Sequence, residues 1–307
     1  MHGPSGQHRL SGSLVGLHRV DAVHSVHTVH SARLTGIKLH STRQVSNPEM
    51  HFNLLSPDRF QPELQNQCAL GVMIKAPRPG FSKTRLSPPL APEEAAQLSR
   101  CFLQDMIACF DRTQIEDVRA TGVAIYTPQG SESEFTGLLP PGYAMIPQRD
   151  GEFGFRLWSA ATDLFAVGFG AVCLINSDSP TLPEAFLSPM VSSLLDDKSE
   201  VAIGPCSDGG YYAIGLRRPI PELFQRITWS TDKVFAETLA QAKRVGVEPQ
   251  VLPLWYDVDD ASSLEYLMQR LFAQPEANQG AAVQSKMYLS ALLAKHGWDY
   301  FKAVESA

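Results

Sequence analysis

The chain has 307 residues, 44% hydrophobic and 19% charged, with a formal net charge of −6. That balance fits a water-soluble folded protein, and no apolar run approaches the ~20 residues a membrane-spanning helix needs. An acidic total also argues against a protein that coats nucleic acid through a basic surface, yet a few converging cations can still hold a polyphosphate.

Residues 1–66 read as a disordered, low-complexity extension: eight of the nine histidines lie before residue 52, and no hydrophobic period is present. His24, His27 and His30 repeat at three-residue spacing, a weak metal-binding pattern. A transit peptide and a translation start set too far upstream remain open as readings of this segment. Residues 67–273 read as one folded domain, and 274–307 as a polar link followed by a helical segment.

Within the domain, Cys68–Ile74 is an apolar strand and 92–110 a helix with Ala95, Leu98, Phe102, Met106 and Phe110 on one face. Strands follow at 121–126 and 144–146, a helix at 153–167 and a strand at 171–175. Pro183 then sits near the first position of another helix. Strands at 201–204 and 211–216 flank a Ser-Asp-Gly-Gly loop, and a helix over 231–245 has Ser230 or Thr231 as its cap. A strand at 251–255 and a helix at 262–272 complete the pattern, with Met287, Leu289, Leu292 and Leu293 marking the C-terminal amphipathic segment. Alternating strands and helices predict one α/β domain with a mostly parallel sheet. Cys68, Cys101, Cys109, Cys173 and Cys206 form no CxxC pair, which predicts buried thiols and a cytoplasmic location, with Cys206 as a candidate reactive thiol.

Four places carry candidate chemistry. After the first strand, Lys75, Arg78, Lys83, Thr84 and Arg85 crowd a loop stiffened by Pro77 and Pro79 and turned by Gly80, a composition suited to phosphates. Ser82 and Pro77 stand where a Walker loop needs glycines, so Lys83 and Arg85 are expected to act as side-chain clamps. A solvated basic loop is the alternative. Asp178 follows a buried strand, where a carboxylate suits Mg2+ or Mn2+ or else caps the turn before Pro180. Asp208-Gly209-Gly210-Tyr211-Tyr212 combines a carboxylate with glycines that admit a ligand, or forms an ordinary turn. Asp257 and Asp259 share one side if their strand continues, Asp260 is a helix cap, and Trp229 offers an aromatic platform or a core side chain.

The ordered set resembles a known family. Lys75-Ala-Pro-x-Pro-Gly80-x-x-Lys83-Thr84-Arg85-Leu86, Gln148 with Gly151, Gly154 and Arg156, Asp178-Ser-Pro180-x-Leu182, Gly204-Pro205-x-x-Asp208-Gly209-Gly210-Tyr211-Tyr212, Trp229-Ser230-Thr231 and Asp257-Val258-Asp259 carry the resemblance across about residues 68–270. They resemble the bacterial glycosyltransferase-like family often associated with arsenosugar biosynthesis genes. It belongs to the nucleotide-diphospho-sugar transferase superfamily, with the molybdenum cofactor and phospholactate guanylyltransferases. Asn176 departs from the usual glycine and Phe153 from the usual leucine.

The resemblance implies a three-layer α/β/α sandwich of the GT-A type and a divalent metal, Mg2+ or Mn2+. The expected activity is transfer of a sugar from a nucleotide-sugar to a small acceptor. Nucleotidyl transfer to a phosphorylated acceptor is the alternative, and a non-catalytic nucleotide sensor the third reading. Lys75, Arg78, Gly80, Lys83, Thr84 and Arg85 are expected around the phosphates. Asp178, Asp208 and Asp259 are expected at the metal, Asp208 and Lys83 in catalysis, and Gly209, Gly210, Tyr211, Trp229 and Asp257 on the acceptor side. No nucleic-acid or membrane partner is expected.

Overall fold

The computed structural model describes residues 52–116, 119–273 and 281–302; the histidine-rich segment lies outside the described residues. Eight strands form one sheet: β1 (Asn53–Leu54), β2 (Cys68–Lys75), β3 (Ala120–Thr127), β4 (Ala144–Pro147), β5 (Ala171–Ile175), β6 (Val201–Pro205), β7 (Tyr211–Leu216) and β8 (Gln250–Val251). Their spatial order is β1-β4-β3-β2-β5-β7-β6-β8, parallel throughout except that β7 runs against β5 and β6. Parallel strands covered on both faces need continuous apolar sequence, and β2, Cys-Ala-Leu-Gly-Val-Met-Ile-Lys, supplies it.

Six helices flank the sheet: α1 (Pro92–Glu116), α2 (Phe153–Val167), α3 (Glu184–Leu195), α4 (Val234–Arg244), α5 (Ala261–Met268) and α6 (Val283–His296). Alternation sends Leu70, Val72 and Ile74 to one face, against Met106 and Phe110 of α1 and Met190 and Leu194 of α3. Val123, Ile125, Val172 and Leu174 face the other way, against Leu157, Ala161 and Leu164 of α2. This is the expected α/β/α sandwich. A third core, built from Leu98 and Phe102 of α1, Leu264 and Leu267 of α5, and Leu289 and Leu292 of α6, ties the C-terminal helices to the outside of α1. Buried Asp105 of α1 fastens this layer by accepting the Gln284 and Ser285 amides at the start of α6, at 2.8 and 2.9 Å.

The ordered chain begins before residue 67. β1 pairs with β4 at the sheet edge, Leu55 is buried, and a 3-10 turn at Pro62–Asn66 leads into β2. The Gln61 amide donates to Val167 O (2.7 Å) and the Gly170 amide to Leu64 O (3.2 Å). A Cβ at Gly168 or Gly170 would collide with the Gln61 or Gln65 carbonyl, so these glycines permit the close packing of the turn. The boundary near residue 66 therefore marks a change of composition, and residues 53–66 are already part of the fold.

Two further expectations change. The last strand is only Gln250–Val251, because Pro253 offers no amide to continue the ladder and pairing resumes as an isolated bridge between Cys206 and Trp255. Helix α4 starts at Val234, and neither Ser230 nor Thr231 caps it: Thr231 donates to Thr228 O instead, and Ser230 holds a φ of 62°. Asp260 does cap α5, in a reciprocal box with Ser263.

Candidate active site

The chain runs from β2 outward to β3 and β4, then crosses back to place β5 on the other side of β2. Helix α1 packs on one face and α2 on the other, so the loops after β2 and β5 part at a topological switch point, the usual ligand crevice of open sheets. Because β5, β6 and β8 all run parallel to β2, the segments that follow them emerge at the same edge. Sheet direction alone thus brings Asp178, Asp208, Asp257 and Asp259 toward the loop that carries Lys83.

The contact is direct. Lys83 Nζ lies 2.6 Å from Asp178 Oδ1 and 3.0 Å from Asp259 Oδ1, and donates to Val258 O at 2.7 Å. Its side chain is only 7% exposed, so all three ammonium donors are spent inside the protein. Burial alone would strip the lysine of its charge, but Asp178 and Asp259 outweigh it and hold the pKa above its ordinary value. Lys83 reaches this position from a left-handed backbone, φ 53° and ψ 40°, a conformation that costs a non-glycine residue roughly 1–3 kcal/mol. Arg85 Nη2 takes the second oxygen of Asp259 at 2.5 Å while staying 70% exposed.

The other loop cations divide. Lys75 donates to Phe81 O at 3.0 Å, and with Thr84 it lines a cavity of about 290 Å3 over the loop. Arg78 turns away: it forms a two-pronged ion pair with Glu134, Nε to Oε2 being 2.8 Å, and does not line that cavity. Gly80 has a φ of 74°, which the turn requires. Neither Arg78 nor Gly80 lines that cavity.

Arg156 does line it. Its Nε donates to Gln148 Oε1 at 3.0 Å, and its guanidinium lines the same cavity as Lys75. Buried Gln148 is itself fixed by its amide, which donates to Ile74 O (3.0 Å) and Ile125 O (2.7 Å) at the ends of β2 and β3. The signal was present in the motif that joins Gln148 to Arg156. Spacing alone could not say that a buried amide aims the arginine.

A second cavity, about 540 Å3, opens on the other side of Asp178 and Asp259 and shares both with the first. Asp208 and Asp257 line it, with Gly210, Tyr211 and Trp229, so most of the expected acceptor-side residues do come together. Gly209 is the exception: with φ 88°, it makes room for the Asp232 backbone, and its part is structural. Cys206, Asp208 and Asp257 bring ligand atoms within 4.8 Å of one another. Burial, then the neighbouring Asp208, Asp259 and Asp178, push Asp257 up to about 7. Burial and the same carboxylates push the Cys206 thiol well up, which keeps it protonated and ends its candidacy as a reactive thiol. All five cysteines are buried and none forms a disulfide. Among the described residues no helix is long and apolar enough to cross a membrane.

Residues 112–231 match the bacterial family described as an uncharacterized protein conserved in bacteria (DUF2064). A candidate nucleotide-diphospho-sugar transferase from Desulfovibrio desulfuricans G20 superposes with a TM-score of 0.64 at 27% identity, covering 76% of this chain and 98% of that one. The fold is therefore that of the nucleotide-diphospho-sugar transferases. More distant likenesses include CMP:2-keto-3-deoxy-manno-octonic acid synthetase complexed with CTP (13% identity, 68% and 99% coverage, TM-score 0.45). Rv0371c from Mycobacterium tuberculosis H37Rv is similarly remote (15% identity, 66% and 98% coverage, TM-score 0.42). Both scores fall below 0.5, and nothing about the site rests on them. No curated protein matches the sequence.

Proposed function

We propose that the chain is a divalent-cation-dependent transferase that binds a nucleotide-sugar and moves the sugar to a small acceptor. The observation that carries this reading is the meeting of two unlike cavities at the switch point: cations of the β2 loop and α2 on one side, carboxylates after β5, β6 and β8 on the other. Likeness to a candidate nucleotide-diphospho-sugar transferase supports it.

The donor set fits a hard cation. Asp208 and Asp257 offer carboxylate oxygens close together, and of the burial and neighbouring carboxylates that raise Asp257, a cation relieves the second. Cys206, a soft sulfur donor, suits such a hard ion less well than the two carboxylates do. Asp208 and Asp257 would therefore hold the Mg2+ or Mn2+, while Asp178 and Asp259, first expected at the metal, hold Lys83. The bound cation would supply charge neutralisation for the departing diphosphate.

The chain's own groups do the rest. Lys75, Arg85 and Arg156 would grip the phosphates by charge-assisted hydrogen bonds, with Thr84 beside them. Lys83 acts as a strut, anchoring the loop to both carboxylate segments, and has no donor left for a phosphate. Asp208 is exposed, its carboxylate steadied at 2.8 Å by the Gly210 amide, and would take the proton of the acceptor hydroxyl.

Incubation with nucleotide-sugars and nucleoside triphosphates in Mg2+ or Mn2+, followed by product analysis, tests the reading. Released nucleoside diphosphate supports sugar transfer. Inorganic pyrophosphate from a triphosphate would replace it with nucleotidyl transfer, and binding without either product would leave a nucleotide sensor.

A further inference from the structure

We propose that the 540 Å3 cavity takes an uncharged, partly apolar alcohol as the acceptor and rejects phosphorylated ones. This rests on the transfer reading and names its second substrate.

Three features of the cavity point the same way. The first is charge. Asp178, Asp208, Asp232, Asp257 and Asp259 line it, against two cations: Arg85, which already binds Asp259 at 2.5 Å, and buried Lys83, which pairs with Asp178 and Asp259; five carboxylates still outnumber them. A phosphate ester brings close to two further negative charges at neutral pH. A divalent cation at Asp208 and Asp257 would offset only part of the excess, so an anionic acceptor meets net repulsion while a neutral one meets none.

The second is the wall opposite. Met73, Phe153, Leu157, Leu174, Trp229 and Val234 supply an apolar surface between the start of α2 and the chain entering α4. Trp229 is a built platform. Phe153 and Tyr211 meet it edge-on, with ring centroids 5.4 and 6.4 Å away, and Gly154 lacks a side chain just where its indole lies. Phe153 remains 45% exposed, so part of this wall still faces solvent.

The third is Tyr211. Its hydroxyl is enclosed and has no hydrogen-bond partner. Buried polar groups nearly always find one, and a hydroxyl on the ligand would supply it.

The step balances without a further reactant. The acceptor oxygen forms a bond to the sugar carbon, and the bond from that carbon to the diphosphate oxygen breaks. Its electron pair leaves with the diphosphate, and the hydroxyl proton passes to the Asp208 carboxylate.

Saturation-transfer NMR titrations test the assignment, using p-nitrophenyl β-glucoside and p-nitrophenyl phosphate as probes that differ in charge. The cationic end is first filled with the nucleoside diphosphate that binds best, in Mg2+. The glucoside should bind at least tenfold more tightly than the phosphate. The gap should narrow in Asp232→Asn. Trp229→Ala should weaken the glucoside at least tenfold, and Trp229→Phe should retain most of the affinity, separating platform loss from misfolding. Equal or tighter binding of the phosphate, absent glucoside binding, or a Trp229→Ala variant of unchanged affinity overturns the acceptor assignment alone, provided the nucleoside diphosphate still binds. Failure of every nucleoside diphosphate to bind the wild-type protein would instead remove the transfer reading on which it rests.

Discussion

The two ends of the crevice are built on opposite principles. At the cationic end, Lys75, Arg85 and Arg156 stand beside an open cavity, each steadied by one protein residue. At the acidic end, carboxylates gather on three separate segments, and burial followed by the neighbouring Asp208, Asp259 and Asp178 pushes Asp257 up to about 7. Lys83 links the halves as the one buried cation that neutralises Asp178 and Asp259. A lysine that the loop composition places among phosphate ligands is thus a girder in the folded protein. The lesson is that charge in a loop tells where electrostatics matter and leaves open which charges face the ligand.

The largest expected effect follows from that girder. Lys83→Met leaves Asp178 without its cation and Asp259 with the exposed Arg85 alone, and urea unfolding in EDTA should show a loss on the order of 3 kcal/mol. A loss below about 0.5 kcal/mol would mean that the two ends are not held together by this residue. Excess Mg2+ should recover part of the stability.

Next comes the cationic end itself. Arg156→Ala removes one or two charge-assisted contacts and should weaken nucleoside diphosphate binding ten- to a hundredfold by calorimetry, an effect of roughly 1.5–3 kcal/mol. Gln148→Leu should do much the same although it touches no ligand, because it releases the guanidinium. Unaltered affinity in both variants would move the phosphates elsewhere.

The acidic end predicts a pH signature. A carboxyl whose folded pKa is raised binds its proton more tightly when folded, so metal-free protein should lose stability as pH rises from about 4 towards 7. Asp257→Asn should flatten that fall in thermal melts run in EDTA. It should also shrink the stabilisation that Mn2+ confers at pH 8. An unchanged pH slope would take Asp257 out of the cluster.

Arg78→Ala is the smallest. Its ion pair with Glu134 is surface-exposed, so the melting temperature should stay near wild type and nucleotide affinity should change less than about twofold. A tenfold affinity loss would return Arg78 to the phosphate set.

Much of the fold was legible because buried strands write themselves as unbroken apolar runs and helices as a longer period: the strands Ala171–Ile175 and Tyr211–Leu216 and the helix Phe153–Val167 stand where the pattern places them. β1 escaped notice since an edge strand of two residues, anchored mainly by Leu55, leaves no period to detect. Asp178, Asp208, Asp257 and Asp259 were legible as a set because each follows a strand that ends at the same edge. Their partners were not. The Arg78–Glu134 pair spans 56 residues and the Lys83–Asp259 contact 176, and no local spacing encodes either. Gly209 looked like room for a ligand and proved to be room for the Asp232 backbone, a distinction that only the folded chain reveals.

One measurement bears most directly on the account. Nucleoside diphosphates titrated calorimetrically into wild-type protein, with Mn2+ and again in EDTA, should bind at least tenfold more tightly with the cation. Arg156→Ala should weaken binding in both conditions, while Asp257→Asn should abolish only the gain from Mn2+. Binding that is indifferent to the cation, or a cation effect that survives intact in Asp257→Asn, would contradict a metal shared by Asp208 and Asp257 between the two ends of the crevice.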